Sequence, residues 1–223
     1  MLDKANERSL YISAMPKLAE NARADRRNKI LDAAKLCFVR HGFHSASMQQ
    51  ICAEAQMSAG NLYRYFPSKD ALIEGLCERD MDDAAKGFAQ VRATKNVLDA
   101  LQALMTHHLC ERPVADYALW TETTAESARN ANVAALGLRV HGFILARLRE
   151  IVRQGIADKT FRADCEPERI ATFLVAMFDG LVVQIQRIPG YDPRPDIDHT
   201  MRLLRADLVA RKAQPKSPGA RRP

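Results

Sequence analysis

Two helix starts that lie only eleven residues apart constrain the fold of this chain more than any other sequence feature. Ser47 is followed at the third position by Gln50, the capping-box pattern in which each side chain satisfies a free backbone amide at the helix start. Ser58 is a second N-cap candidate, and Pro67 stops the short helix that follows it. Two short helices joined by a tight turn around Gln56 predict a helix-turn-helix, whose second helix enters the major groove of DNA.

Helical periodicity extends through most of the chain. Apolar residues recur at helical spacing from Ile30 to Phe38, and Gly42 is a natural C-terminal stop for this first helix, which begins near Asp25. Further helices are predicted from Ser68 to about Phe88 and over residues 95–110, 114–128, 132–157, 167–187 and 196–212. Because no alternating strand of useful length competes, the predicted fold class is all-α.

The net charge changes sign twice along the chain. Residues 1–70 hold 11 basic and 7 acidic groups, residues 71–200 hold 15 and 19, and residues 201–223 hold 7 and 1. A basic N-terminal segment joined to an acidic middle indicates a polyanion-binding module carried on a part with a different partner. Residues 213–223 are rich in Pro, Gly and Arg and are predicted to form a disordered basic tail.

Composition excludes several classes of protein. Hydrophobic residues make up 47% and charged residues 27% of the 223 positions, which is typical of a soluble globular chain and not of a disordered one. No apolar run approaches the roughly 20 residues of a membrane span, and no secretory signal pattern is present, so we expect a cytoplasmic protein without membrane contact. The five cysteines form no CxxC pair and are expected to be buried thiols.

A specific family pattern occupies the predicted helix-turn-helix. The stretches from Phe43 to Cys52 and from Met57 to Lys69 strongly resemble the DNA-binding domain of the tetracycline-repressor (TetR) family. The run Leu-Tyr-Arg-Tyr-Phe-Pro-Ser-Lys over residues 62–69 is the most specific part of a match that covers about residues 26–76. Residues 77–212 resemble the family's second domain in length and helix count only.

The resemblance implies a domain organisation. Residues 1–24 would be an N-terminal extension, either frayed or a short helical arm. Residues 25–70 would form the three-helix helix-turn-helix DNA-binding domain, and residues 71–212 a helical-bundle domain for ligand binding and dimerisation.

The resemblance also implies a set of DNA-contacting positions. Helix N-termini at Ser47 and Ser58 would meet phosphates, as would the Tyr63 phenol. Lys69 would contact a phosphate, and Arg64 either a phosphate or a guanine. Because side-chain amides pair best with adenine, Gln49 and Asn61 predict half-sites in which A·T pairs are read. The full predicted set is Arg27, Ser47, Gln49, Ser58, Ala59, Gly60, Asn61, Tyr63, Arg64 and Lys69.

Two positions depart from the family pattern. Gln56 stands where many relatives have glycine, so slight strain is expected if its backbone is left-handed. Ala59 stands where many have lysine or another polar residue, which removes a possible contact but leaves a methyl group for a thymine methyl.

The C-terminal part carries large apolar side chains that allow two interpretations. In a helical bundle they are core residues first, but the resemblance implies that part of this core is hollowed into a pocket for a small-molecule effector. The candidate pocket residues are Met105, His108, Tyr117, Trp120, Phe143, Phe173 and Met177.

Broad apolar stripes mark the last two predicted helices. Such stripes are either deeply buried or shared between subunits, and the resemblance favours a homodimer interface. The candidate interface residues are Phe178, Leu181, Val182, Ile185, Met201, Leu204 and Leu208.

One group of potential metal ligands is better explained by packing. His107, Cys110 and Glu111 share a helix face, with His108 adjacent, but adjacent histidines point about 100° apart and no second ligand pair is evident. We expect neither a metal nor a cofactor.

The resemblance implies a bacterial transcription regulator, more often a repressor, that binds a palindromic DNA operator as a homodimer and is released by an effector. Two alternatives stay open. One is an effector-independent or protein-regulated architectural DNA-binding protein. The other is a small helical enzyme, although no nucleophile–base pair, carboxylate pair or phosphate loop is evident.

Overall fold

The computed structural model describes the backbone of residues 4–209 and the side chains of residues 20–113 and 116–209. Within this part every regular element is helical, which confirms the all-α prediction. The elements are α1 Lys4–Ser45, α2 Met48–Glu54, α3 Ala59–Tyr65, α4 Lys69–Ala93, α5 Val97–Thr106, a π-helical turn His107–Glu111, α6 Val114–Ser127, α7 Ala131–Ala157, α8 Pro167–Arg187 and α9 Arg194–Leu208. The predicted basic tail lies outside the described residues.

Most helix bounds follow the sequence pattern, with two differences. The helix predicted over residues 167–187 coincides with α8, because Pro167 suits the first turn and Pro189 follows the end. The residues assigned to an N-terminal extension are helical from Lys4 and run into α1 without a break. The helix predicted over residues 95–110 consists of α5 and the π-helical turn. A π-helical turn has wider hydrogen-bonded rings than an α-helix, and the spacing of apolar residues does not predict it.

The caps that define the short helices are formed as predicted. Ser47 and Gln50 make both hydrogen bonds of a capping box, and Ser58 accepts a hydrogen bond from the Asn61 amide. The turn between the helices places Gln56 at φ 53°, the left-handed conformation for which glycine is the usual residue. The strain expected at this position is therefore present in the backbone.

The described chain divides into two compact units. The first contains residues up to Asp80 together with Ala115–Leu138, and the second contains Met81–Val114 together with the residues from Arg139 on. The core of the first unit joins α1 through α4 to apolar side chains of α6 and α7, among them Val133 and Leu136. The DNA-binding segment thus shares its core with residues more than fifty positions further along the chain. The domain predicted over residues 25–70 does not contain these residues.

Helix α7 is the one described helix that is long and apolar enough to cross a membrane by length and composition. Charged residues such as Arg139 and Arg147 interrupt its apolar positions, so it contains no continuous apolar run of the length of a membrane span. Core helices of soluble proteins pass the same test, so this finding is weak evidence on its own. Only 17% of its apolar window is buried in the single chain.

Two glycines on α7 have opposite surroundings. A Cβ atom built on Gly155 would lie 2.2 Å from the Phe161 ring, which is itself buried. Phe161 also donates its backbone amide to the Gly155 carbonyl at 2.9 Å, so the ring and backbone are held against the helix together. A Cβ atom on Gly142 would meet no atom within 4 Å.

We predict that Gly155→Ala destabilises the protein while Gly142→Ala does not. Overpacking against Phe161 should lower the free energy of unfolding by about 1–3 kcal/mol. Gly142→Ala should raise it by about 0.5–1 kcal/mol, because alanine favours the helix. Urea denaturation of both variants checks this, and equal stability of the two would contradict the packing around Phe161.

Candidate nucleic-acid interface

The helix-turn-helix exposes polar residues on one side because apolar residues fix the other. Ile51, Ala55 and Leu62 are buried in the core of the first unit, and Met57 packs against that core. These are the inward positions that the sequence pattern predicts. Cys52 is also buried, Met48 and Tyr65 pack against the same core, and most of the other residues of α2 and α3 are exposed.

The outward residues are those predicted to contact DNA. Gln49, Ser58, Ala59 and Gly60 are exposed, and Tyr63 has 49% of its surface exposed. A Cβ atom on Gly60 would meet no atom within 4 Å, so the start of the recognition helix α3 is open. An open helix N-terminus with free amides next to an exposed phenol is suited to approach a phosphate backbone.

Asn61 and Arg64 form a pair on α3. The Arg64 Nη2 donates to the Asn61 Oδ1 at 2.8 Å, and the Arg64 guanidinium carbon lies 5.7 Å from the centre of the Tyr65 ring. The Asn61 amide is thereby oriented, with its NH2 group and a second oxygen lone pair still available. Both are required for bidentate contact with adenine, so the predicted A·T reading is compatible with this pair.

Lys69 has an additional role that the family pattern does not indicate. Its Nζ donates to the Phe43 carbonyl at 2.8 Å and to the His44 carbonyl at 2.9 Å. It also lies 4.9 Å from the centre of the Phe43 ring. Two of its three N–H groups therefore join the start of α4 to the end of α1, and one remains for a phosphate.

Arg27 is likewise tied within the protein. Its Nη2 lies 2.8 Å from the Glu78 Oε2, and its guanidinium carbon lies 5.3 Å from the centre of the Phe66 ring. These contacts join α1 to α4. They give Arg27 a structural partner, and the DNA contact that the resemblance implies stays a prediction.

A break in α1 orients this whole region. Gly42 adopts φ 74° and ψ 157°, which interrupts the helix just before the capped start of α2. The Phe43 amide, just after the break, donates a hydrogen bond to the Glu122 carboxylate of α6 at 3.2 Å. Glu122 is a functional candidate that sequence reasoning missed, because 79 positions separate it from Phe43 and no local pattern links them.

Three further polar contacts join α6 and the residues that follow it to α1 and α4. Asp116 forms an ion pair with Lys35. Asp70, in the first turn of α4, accepts hydrogen bonds from Asn130 and Asn132, both at 3.3 Å. Within the first unit, α6 and the start of α7 therefore contact both α1 and α4.

The predicted pocket residues are divided between the two units. Tyr117 and Trp120 belong to the first unit, whereas the other five belong to the second. Met105 and Tyr117 are buried, Trp120 and Phe173 are exposed, and the rest are intermediate. The apolar pattern alone does not separate core from cavity.

The second unit contains a cleft of about 600 Å3 between α4 and α5 with its π-helical turn. Of the predicted pocket residues only His108 lines it, together with Lys86, Gln90, Thr94 and Arg112, among others. Burial and the nearby positive charge of Arg112 and His107 lower the pKa of His108 to about 4. The imidazole is therefore neutral near pH 7, and a mixed polar lining surrounds it.

Five of the seven predicted interface residues are buried within the single chain. They are Leu181, Val182, Met201, Leu204 and Leu208. They pack in the chain's own core, so they leave little surface for a second subunit. Phe178 and Ile185 are only partly buried.

The group of potential metal ligands contains an ordinary side-chain contact. His107 Nδ1 lies 2.7 Å from the Glu111 Oε2 on the same helix face. The described residues contain no cluster of three possible ligands. Cys37 and Cys52 are buried as expected, whereas the other three cysteines are only partly buried.

Sequence comparisons match both parts of the chain. Residues 30–76 match the family described as "Bacterial regulatory proteins, tetR family". Residues 93–210 match the family described as "BetI-type transcriptional repressor, C-terminal".

Individual relatives agree with these matches. The Escherichia coli regulator UidR is 34% identical over 133 residues, covering 58% of this chain and 67% of that protein. The structure of Salmonella enterica GusR is 30% identical with a TM-score of 0.69, covering 81% of this chain and 93% of that one. A regulator structure from Saccharomonospora viridis in complex with choline has a TM-score of 0.69 at 20% identity, covering 84% and 100%.

We predict that Glu122→Ala loosens the junction between α1 and α2. Losing the acceptor leaves the Phe43 amide unsatisfied and should lower the free energy of unfolding by about 1–3 kcal/mol. Glu122→Gln keeps an oxygen acceptor and should lose less than half of that amount. Amide hydrogen exchange of the peptide around Phe43 measures the local effect, and unchanged exchange in Glu122→Ala would contradict this role.

The depressed pKa of His108 predicts how stability depends on pH. Its folded pKa of about 4 lies below its ordinary value, so the unfolded chain binds an extra proton as pH falls through about 6.5. Stability from this group is therefore present at pH 7 and lost towards pH 5, by about 1–2 kcal/mol. His108→Gln should remove that part of the pH dependence in denaturation curves, and an unchanged pH dependence would contradict the burial of the imidazole.

Proposed function

Because the chain belongs to the TetR family of bacterial transcriptional regulators, we propose that it is a ligand-responsive repressor that binds a palindromic operator as a homodimer and leaves it when a small-molecule effector binds. Its relatives regulate transcription through DNA and are not enzymes. The proposal concerns the finer points: the symmetry of the operator, the dimer and the effector.

The observation that carries the proposal is the outward face of α2 and α3. A buried apolar side holds the two helices, and exposed Gln49 and Tyr63 and partly exposed Asn61 lie outside it. A seven-residue recognition helix with a capped, open N-terminus suits insertion into the major groove. Such a small reader covers few base pairs, so two copies on a two-fold axis are the economical way to reach specificity.

Exposed apolar side chains in the second half of the chain support the homodimer. Within the second unit, Leu203 on α9 is 52% exposed, and Phe173 and Val183 on α8 are both more than 40% exposed. Large apolar side chains exposed in this number favour a protein interface. The interface we propose uses these side chains with Phe178 and Ile185, in place of the five buried residues.

The cleft between α4 and α5 is our candidate for the effector site. Its lining combines aliphatic surface with Lys86, Gln90, His108 and Arg112, which suits a small polar ligand. Helix α4 contributes residues to both units, so a ligand held against its second half acts on the element whose start contacts DNA. The ligand must bind the two DNA-affinity states with different strength, since otherwise no shift follows.

We also propose that the protein acts in the cytoplasm, where its DNA is. The match to transcription regulators supports this location. Helix α7 passes the length and composition test for a membrane span, and its exposed apolar surface is equally expected of a dimer interface.

Selection of the purified full-length protein against fragmented genomic DNA at moderate salt tests the proposal. We expect enrichment of a palindrome, because two symmetric recognition helices read two half-sites. Binding without a palindrome, lost uniformly as salt rises, would favour an architectural DNA-binding protein instead. Half-sites with only G·C pairs at the contacted steps would contradict the amide contacts of Gln49 and Asn61.

Tyr63→Phe in the same assay separates backbone contact from base reading. Loss of the phenol should weaken binding to the palindrome and to random duplex by the same factor, leaving specificity unchanged. Tyr191→Phe, which removes a phenol from the second unit, is the matched control and should bind as the unaltered protein does.

A further inference from the structure

The arginines of the first unit fall into two groups by their partners. Of the seven whose side chains the structure describes, four form ion pairs with carboxylates: Arg27 with Glu78, Arg40 with Glu54, Arg79 with Asp32 and Arg129 with Glu126. The other three, Arg23, Arg26 and Arg64, form no ion pair with any described side chain.

These three arginines line the same groove. It has a volume of about 460 Å3 and is bounded by Arg23, Arg26 and Ala22 of α1 and by Arg64 and Tyr65 of α3. Arg23 and Arg26 lie three positions apart on one helix, so their side chains share a face. Arg64 is held in place by the Asn61 oxygen and the Tyr65 ring.

We infer that Arg23, Arg26 and Arg64 form an anion clamp that binds one phosphodiester of the DNA backbone beside each half-site. The inference rests on the proposed operator binding and adds the N-terminal part of α1 to the contact surface. Guanidinium groups bind phosphate oxygens with paired N–H donors. The groove is lined by two such groups from α1 and one from α3.

The position of Arg64 explains why the anion is a DNA phosphate. Arg64 belongs to the proposed recognition helix and donates a hydrogen bond to Asn61, one of the proposed base-reading residues. An anion in the groove therefore lies next to the base-reading surface. Because each half-site would bind one extra phosphate, the clamp fixes the register of α3 in the groove without reading sequence.

The test compares two full-length variants that each lose two positive charges. Arg23→Gln/Arg26→Gln removes two groups of the clamp, and Arg40→Gln/Arg129→Gln removes two ion-paired arginines of the same unit. Affinity for the selected palindromic duplex and for random duplex is measured from about 50 to 200 mM KCl, a range over which phosphate contacts dominate salt dependence. Circular dichroism checks that both variants remain helical.

If each of two subunits loses one phosphate contact, the slope of log affinity against log salt should become shallower by about 1.8 in the clamp variant. Its deficit in affinity should then be about 12-fold larger at 50 mM than at 200 mM salt. The loss should be equal for the two duplexes. The control variant should keep the slope of the unaltered protein.

Ethylation interference gives an independent readout. One phosphate per half-site should block the unaltered protein when ethylated and have no effect on the clamp variant. An unchanged slope in the clamp variant, or a loss confined to the palindrome, would overturn the clamp while leaving operator binding intact. Failure of the unaltered protein to bind the palindromic duplex would overturn the proposed function and the clamp with it.

Discussion

The left-handed break at Gly42 is the constraint on which the DNA-binding unit depends. A residue with a side chain would be strained at φ 74°, and its Cβ would lie 3.3 Å from the Glu122 carboxylate. The break redirects the chain so that Phe43 is buried, with its ring 5.3 Å from that of Phe38. Its carbonyl then accepts a hydrogen bond from the Lys69 Nζ, and its amide donates one to the Glu122 carboxylate. One backbone conformation thereby sets the junction of α1, α2, α4 and α6.

The parts of this structure that the sequence predicts are those controlled by neighbours in the chain. A serine three positions before a glutamine predicts a capping box, and the glycine that many relatives have at position 56 allowed for the left-handed backbone that Gln56 adopts. The carbonyl partners of Lys69 lie 25 and 26 positions away, and Glu78 lies 51 positions from Arg27. Such partners are chosen by tertiary packing, and no spacing rule selects them.

Apolar stripes show the same limit in the second unit. The periodicity of α8 and α9 correctly indicates that one face avoids water, but it does not say whether the cover is the same chain or another. Met201 and Leu208 are almost completely buried within the single chain, whereas Leu203, between them on α9, is not. The apolar pattern therefore does not identify an interface, since buried and exposed apolar residues alternate along one short helix.

Gly60 has a consequence for how this protein can change its target. At the head of α3 it contributes no side chain, and the space around it is open. Glycine inside a helix is destabilising relative to alanine by roughly 0.5–1 kcal/mol, so most replacements there carry no folding penalty. On the proposed DNA-contacting face, residue 60 is therefore a position where a new side chain can change which operator is preferred while the helices that hold it stay as they are.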